Sequence, residues 1–134
     1  GGKWNFDFGE VKYVNAIHTS TFPDGSNGGQ PGGFIISTNN KSLYIAGDTA
    51  LTYDMKLIPL QYKLDLAILP IGDNFTMGYN DAIIASDFLK CNKILGCHFD
   101  TFGLIEIDQA KAIDEFKRLN KELIIIKPTE HITI

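Results

Sequence analysis

Three side chains in this sequence have the chemistry to hold a metal ion: His18, Asp48 and His98. Imidazole and carboxylate are the ligands expected of Zn, Mn or Fe sites. A carboxylate also has two oxygens, so Asp48 could bridge two ions. Each residue lies where a strand-like run stops. Tyr44-Ile45-Ala46-Gly47-Asp48-Thr49 reads as a strand ending abruptly at an acid, and His18 and His98 end runs before and after it. Each also has a plainer reading. A histidine at a strand end is often only a hydrogen-bonded surface or core residue, and Asp48 before a helix is a good N-cap. Asp73, just past an apolar run, either orients a ligand histidine or serves a turn. Thr49 and Thr101 are further candidates for orienting the ligands. His131, in the C-terminal tail, is not expected to bind metal.

The elements that must position these groups follow from periodicity. Trp4, Phe6 and Phe8 alternate with polar residues over Lys3–Phe8, and Val11 to His18 alternates again, so the two runs form a hairpin about Gly9-Glu10. Residues 19–33 make a Gly-, Ser-, Asn- and Pro-rich loop, either a surface excursion or a wall beside the metal. Phe34–Thr38 and Ser42–Ala46 form a second hairpin, with Asn39-Asn40 tolerating the positive φ of its turn. Thr49–Ile58 reads as a short helix cut off by Pro59. Leu64–Ile71 is an apolar run around Asp65, the pattern of a strand buried on both faces. Asn80–Leu89 is a helix capped by Asn80, with Ile84, Ala85, Phe88 and Leu89 on its apolar face. Lys93–His98 is a strand. Asp108 caps a helix to about Asn120 that buries Ala112, Ile113, Phe116 and Leu119. Leu123–Ile126 is a last buried strand, and His131–Ile134 a terminal one. Two hairpins followed by alternating strands and helices predict a mixed α/β (α+β) layout, with helices along one side of a sheet.

Composition sets the bounds. At 134 residues the chain fits one unit, 1–134. Its hydrophobic fraction of 44% and charged fraction of 21% are those of a globular domain. The net charge of -4, with no basic run, argues against nucleic-acid binding. No apolar run is long enough for a membrane helix, and the first residues carry no signal-peptide pattern. Cys91 and Cys97 flank a predicted strand that holds them beyond disulfide reach. Both are read as reduced thiols in a cytoplasmic protein.

Several stretches occur together and in order: Gly47-Asp48-Thr49, Asp54-Met55, Asp65-Leu66-Ala67-Ile68-Leu69-Pro70-Ile71-Gly72-Asp73, Phe75-Thr76-Met77-Gly78 and His98-Phe99-Asp100-Thr101-Phe102. Together they closely resemble the metallo-β-lactamase superfamily. Within it the chain is similar to the uncharacterised metal-dependent hydrolase branch related to ascorbate-6-phosphate lactonase. In that branch a Gly-Gly segment leads to a strand ending Ala-x-His-Ser, and here Gly1-Gly2 leads to Ala16-Ile17-His18-Thr19-Ser20. The resemblance implies that His18 and His98 are ligand histidines, and that Asp48 is the bridging acidic ligand and a catalytic residue. It implies one or two divalent ions, Zn or Mn, and a four-layer αββα sandwich with its site at one edge of two facing sheets. It also implies hydrolysis of a small-molecule substrate, in which metal-activated water attacks a carbonyl or phosphorus centre.

Three departures accompany the resemblance. The family's His-x-His-x-Asp-His motif is absent, so the chain resembles the C-terminal half of the fold. Phe99 stands where the branch usually has Tyr, removing a hydroxyl. Lys127-Pro128-Thr129-Glu130 replaces a Pro-Gly-Glu turn. Half a sandwich would leave an inner sheet face bare, with Trp4, Phe6 and Ile68 on it. The expected partner is therefore an N-terminal half or a second copy of the chain. Two further readings compete with a hydrolase: a non-catalytic interaction module with an incomplete metal site, and a carbohydrate- or phosphate-binding β-rich domain using the Gly-rich loop.

Overall fold

The computed structural model describes residues 1–134. Seven strands form one sheet in chain order: β1 (Lys3–Phe6), β2 (Gly9–Asn15), β3 (Gly32–Thr38), β4 (Lys41–Ile45), β5 (Leu66–Pro70), β6 (Lys93–Cys97) and β7 (Glu122–Ile124). The first four pair antiparallel, and β4 to β7 pair parallel. Short turns suffice for the antiparallel half. At the β3–β4 turn Asn39 and Asn40 both take left-handed φ, 47° and 63°, as a tight hairpin demands. The parallel half needs crossovers. These are a 3₁₀ helix at Tyr53–Leu60, α1 (Tyr79–Leu89) and α2 (Gln109–Arg118), and successive right-handed crossovers put all three on one face.

The register divides apolar residues between the two faces. Ile35, Tyr44, Ala67, Ile94 and Leu123 are cross-strand neighbours in one row. All are buried, packed with Met55, Ala82, Leu89, Ala112 and Phe116 from the helical layer. Residues one step away must point to the other side. Tyr13, Phe34, Ile45, Ile68, Leu95 and Ile124 form a second continuous row there. No helix covers that row, and Phe34 is 43% exposed and Trp4 71%.

Several expectations need correction. The helix expected over Thr49–Ile58 is a 3₁₀ helix that starts later and runs through Pro59. Thr52 stays extended and is the N-cap. Helix α1 begins at Tyr79 behind Gly78, not at Asn80, and buries Ala82, Ile83, Ala85, Ser86 and Leu89. Its buried face takes in Ile83 and Ser86 in place of Ile84, which is 43% exposed, while Phe88 packs at the margin of the core and stacks on Tyr53, ring centroids 5.4 Å apart. Asp108 caps α2 as expected, accepting from the Lys111 N–H at 3.0 Å. Ile113 and Leu119 of that helix remain exposed, since α2 lies over the sheet margin. Residues 131–134 form no strand. The β1–β2 turn falls at Asp7-Phe8 rather than Gly9-Glu10, and β2 ends at Asn15, before His18. Cys91 and Cys97 are both free thiols.

Candidate metal centre

Strands β2, β4, β5 and β6 run in one direction, because β2 and β4 are both antiparallel to β3 and the rest are parallel to β4. Their C-terminal ends therefore open on one edge of the sheet. His18 follows β2, Asp48 follows β4, Asp73 follows β5 and His98 follows β6. Shared strand direction thus brings residues far apart in sequence to one edge, the usual place for a site on parallel strands.

Local backbone aims each group. After β4 the chain turns at Gly47, whose φ is +67° and where a Cβ would sit 2.9 Å from the Gly32 carbonyl oxygen. Only glycine meets both conditions without strain. Asp48 then projects with half its side chain exposed. It caps no helix, because Thr52 takes that role. His98 takes a left-handed φ of +54°, and its ring is mostly buried, with 26% exposed. Gly72 makes this arrangement possible: a Cβ there would lie 2.1 Å from the His98 carbonyl oxygen.

His98 Nε2 lies 3.7 Å from Asp48 Oδ2. That is too long for a hydrogen bond. It is close to the separation of about 3.4 Å expected for two ligands about 2.0–2.1 Å from one tetrahedral ion. The other ring nitrogen of His98, Nδ1, is buried without a hydrogen-bond partner in the chain. An unpaired buried polar group costs about 1–3 kcal/mol. Orphan nitrogen and left-handed backbone fall on the same residue, and strain of this kind gathers at functional sites. His18 Nδ1 lies 2.8 Å from the Thr19 carbonyl oxygen. A carbonyl only accepts, so Nδ1 is the donor in this contact, which leaves Nε2 as the ring nitrogen available to a metal.

All three residues line one open hollow of about 600 Å3, together with Ile17, Thr19, Asn74 and Phe75. The donor set of two imidazoles and a carboxylate fits a divalent ion. The closure is partial: Asp48 and His98 approach each other, while no three His, Cys, Asp or Glu side chains gather at metal-holding distances.

The residues expected to orient the ligands are placed differently from one another. Thr49 is fully buried. Its hydroxyl accepts from the Ile17 N–H at 3.0 Å and donates to the Ala50 carbonyl at 2.8 Å. The Ala50 N–H returns to the Ile17 carbonyl at 3.0 Å. Thr49 therefore holds the backbone beside His18 rather than a ligand side chain. Asp73 lines a neighbouring hollow with Gly78 and Asp81, and its carboxylate accepts from the Asn74 N–H at 2.8 Å. That is the turn role. Thr101 is exposed and lies outside the hollow of the histidines. His131 is exposed and also outside it. Phe99 packs against the core.

Sequence reasoning passed over Ile17, Asn74, Phe75 and Gly72. Phe75 carried a usable signal, a large apolar residue between turn-formers. Gly72 carried none, because its partner His98 is distant in sequence. Cys97, beside His98, has its thiol pushed up to about 11, by burial first and by the Asp48 charge second.

Residues 1–121 match the family described as "Beta-lactamase superfamily domain". The chain is 66% identical over its full length to a UPF0173 metal-dependent hydrolase of Christiangramia forsetii, of which it covers 59%. It is 65% identical to one of Flavobacterium johnsoniae, of which it covers 60%. Among solved structures, Igni18, a metallo hydrolase of the archaeon Ignicoccus hospitalis, superposes with a TM-score of 0.83 at 28% identity. That match covers 97% of this chain and 56% of Igni18. The chain thus spans under two thirds of each of these relatives.

Proposed function

This chain belongs to the beta-lactamase superfamily domain family, and from that premise we propose that the protein is a metal-dependent hydrolase whose ion is held by His18, Asp48 and His98. The observation that carries this reading is the 3.7 Å approach of His98 Nε2 to Asp48 Oδ2, in a hollow that His18 also lines. One or two ions, Zn or Mn, suit these donors. Such an ion supplies Lewis-acid polarisation of the scissile group and acidification of water.

The chain's own residues do the rest. His18 and His98 offer imidazole nitrogens. Asp48 offers negative charge and two oxygens, enough to serve two ions. Thr49 fixes the chain beside His18, and Gly72 lets the His98 backbone come close. The substrate class is an ester, lactone or phosphoester, and kinship with ascorbate-6-phosphate lactonase rests on the shared motifs. The reading of Cys91 and Cys97 as reduced thiols supports a cytoplasmic location.

The absence of a closed three-residue cluster favours a second statement. The 134 residues alone bind metal weakly and turn over little. The further length of the relatives then carries the remaining ligands and a second sheet to cover the bare face of this one. Without that sheet a second copy of the chain takes its place.

Calorimetric titration of the chain with Zn2+ and Mn2+ tests the site. His98→Ala, Asp48→Asn and His18→Ala should each weaken binding tenfold or more, since a ligand contributes well over the ~1.4 kcal/mol that tenfold represents. Binding that is absent, or indifferent to His98→Ala and Asp48→Asn, would sink the assignment.

A further inference from the structure

The hollow that holds His18, Asp48 and His98 has an apolar wall. Ile17 and Phe75 are two of its seven lining residues, and no Lys or Arg is among them. Phe75 is 51% exposed, and Phe102 beside it is 49% exposed. Their ring centroids are 6.1 Å apart with planes tilted by 40°, an ordinary aromatic pairing. Ile17 is 56% exposed.

The backbone is built to hold Phe75 in this position. Asp73 and Asn74, both non-glycine, take left-handed φ of 61° and 60°. The Phe75 N–H donates back to the Asp73 carbonyl at 2.6 Å. Two consecutive left-handed residues are uncommon, and here they turn a phenyl ring outward over the ligands instead of into the core. The Asn74 side-chain amide donates to the Leu104 carbonyl at 3.4 Å, tying this loop to the one that carries Phe102. The two rings therefore come as one surface from two loops.

We propose that Phe75 and Ile17, with Phe102 paired to Phe75 just outside the hollow, form the substrate-selecting wall of this site, and that the substrate is a neutral ester or lactone bearing an apolar acyl or aryl group. The proposal rests on the hydrolase reading and narrows it. The lining in this chain offers a phosphoester no lysine or arginine beside the ions themselves, so its side chains add nothing for an anionic substrate. An apolar substituent on a carbonyl substrate instead covers phenyl and isoleucine surface that is now exposed to water, and that burial is favourable. Ligand pockets commonly pair such apolar walls with a few polar groups that fix orientation.

The test separates wall from metal. Binding of γ-nonalactone and γ-butyrolactone to the chain is measured by calorimetry, which needs neither bound metal nor turnover. Zn2+ affinity is measured on the same samples. Hydrolysis of both lactones and of bis(p-nitrophenyl) phosphate is followed where the metal-loaded protein turns over. The protein should bind the nonalactone at least tenfold more tightly than the butyrolactone. Phe75→Ala and Phe102→Ala should each remove most of that preference, Phe75→Leu should keep part of it, and Zn2+ affinity should not move. In hydrolysis the loss should appear in KM for the nonalactone and be larger there than for the butyrolactone. Equal affinity for the two lactones would overturn the proposal. So would a preference that survives both alanine variants, equal losses on both lactones, or preferred hydrolysis of the phosphodiester. Loss of Zn2+ binding from the unsubstituted chain would instead count against the hydrolase reading, and the lactone titration would still decide the wall.

Discussion

His98 is held by what its neighbour lacks. The 2.1 Å gap between a hypothetical Cβ at position 72 and the His98 carbonyl oxygen is far inside van der Waals contact, and the obstructing atom is backbone. Gly72→Ala must therefore push the β6 exit away from the β5 exit. It leaves every ligand side chain intact, so a change in metal affinity would report position alone. The expected result is Zn2+ binding weakened by roughly tenfold or more, with a stability loss in the 1–3 kcal/mol range typical of overpacking, read by urea denaturation. Unchanged Zn2+ affinity in a folded Gly72→Ala protein would mean that the His98 backbone position does not matter to the site. Thr49 acts in a similar way on the other side of the hollow, through the backbone of Ile17. The residues that set this site's geometry are thus ones without metal chemistry of their own, and reading residue types for chemistry passes over them or misassigns their role.

Among the elements, those fixed by local chemistry were legible in the sequence. Asn39-Asn40 announced a tight hairpin, Asp108 announced the start of α2, and alternation announced the strands. Elements decided by distant packing were not legible. The face of α1 buries Ile83 and Ser86 and leaves Ile84 exposed, and the segment to Leu60 becomes a 3₁₀ helix packed under α1. The site shows the same division. Three ligand types at strand ends could be read from the chain, but their meeting depends on the strand directions across the whole sheet. The switch from antiparallel to parallel pairing occurs between β4 and β5, and Asp65 clamps it. Its carboxylate accepts from the Ser42 N–H at 2.9 Å and from Lys41 Nζ at 3.2 Å, and its own N–H donates to the Ser42 carbonyl at 2.8 Å. These bonds, the Ser42 one foremost and then Lys41, hold the Asp65 carboxyl below its ordinary 3.8. A depressed carboxyl binds its proton more readily in the unfolded chain. Its stabilisation is therefore complete above the unfolded value and lost as pH falls through the lower folded value. Asp65→Asn should lower stability near neutral pH and flatten the acid arm of the stability curve below about pH 4. Urea denaturation of both proteins at pH 7 and pH 3 checks this, and parallel acid arms would show that the clamp carries no pH dependence.

At the scale of the molecule the two faces of the sheet are unequal. One carries the helical layer. The other carries the row Tyr13, Phe34, Ile45, Ile68, Leu95 and Ile124, with Trp4, Val11, Ile36 and Leu43 beside it. Seven strands spaced about 4.8 Å apart and roughly five residues long give a face of about 30 by 16 Å, near 480 Å2. The apolar row runs across the middle of that face, and exposed apolar patches on monomers are often functional. In isolation the chain should cover it with another copy. Light scattering should then give a mass that rises with concentration above the 14.8 kDa of one chain. Trp4 is the only tryptophan and stands on this face 71% exposed, so its emission should shift to longer wavelength as dilution separates the copies. Trp4→Glu and Phe34→Glu change side chains already open to solvent and should cost the fold little, but a carboxylate cannot be buried against the row without a partner. Phe34→Glu should bring the mass to one chain while the emission of Trp4 becomes independent of concentration. An unsubstituted chain that remains a monodisperse monomer from micromolar to near-millimolar concentration, with constant Trp4 emission, would show that this face needs no cover.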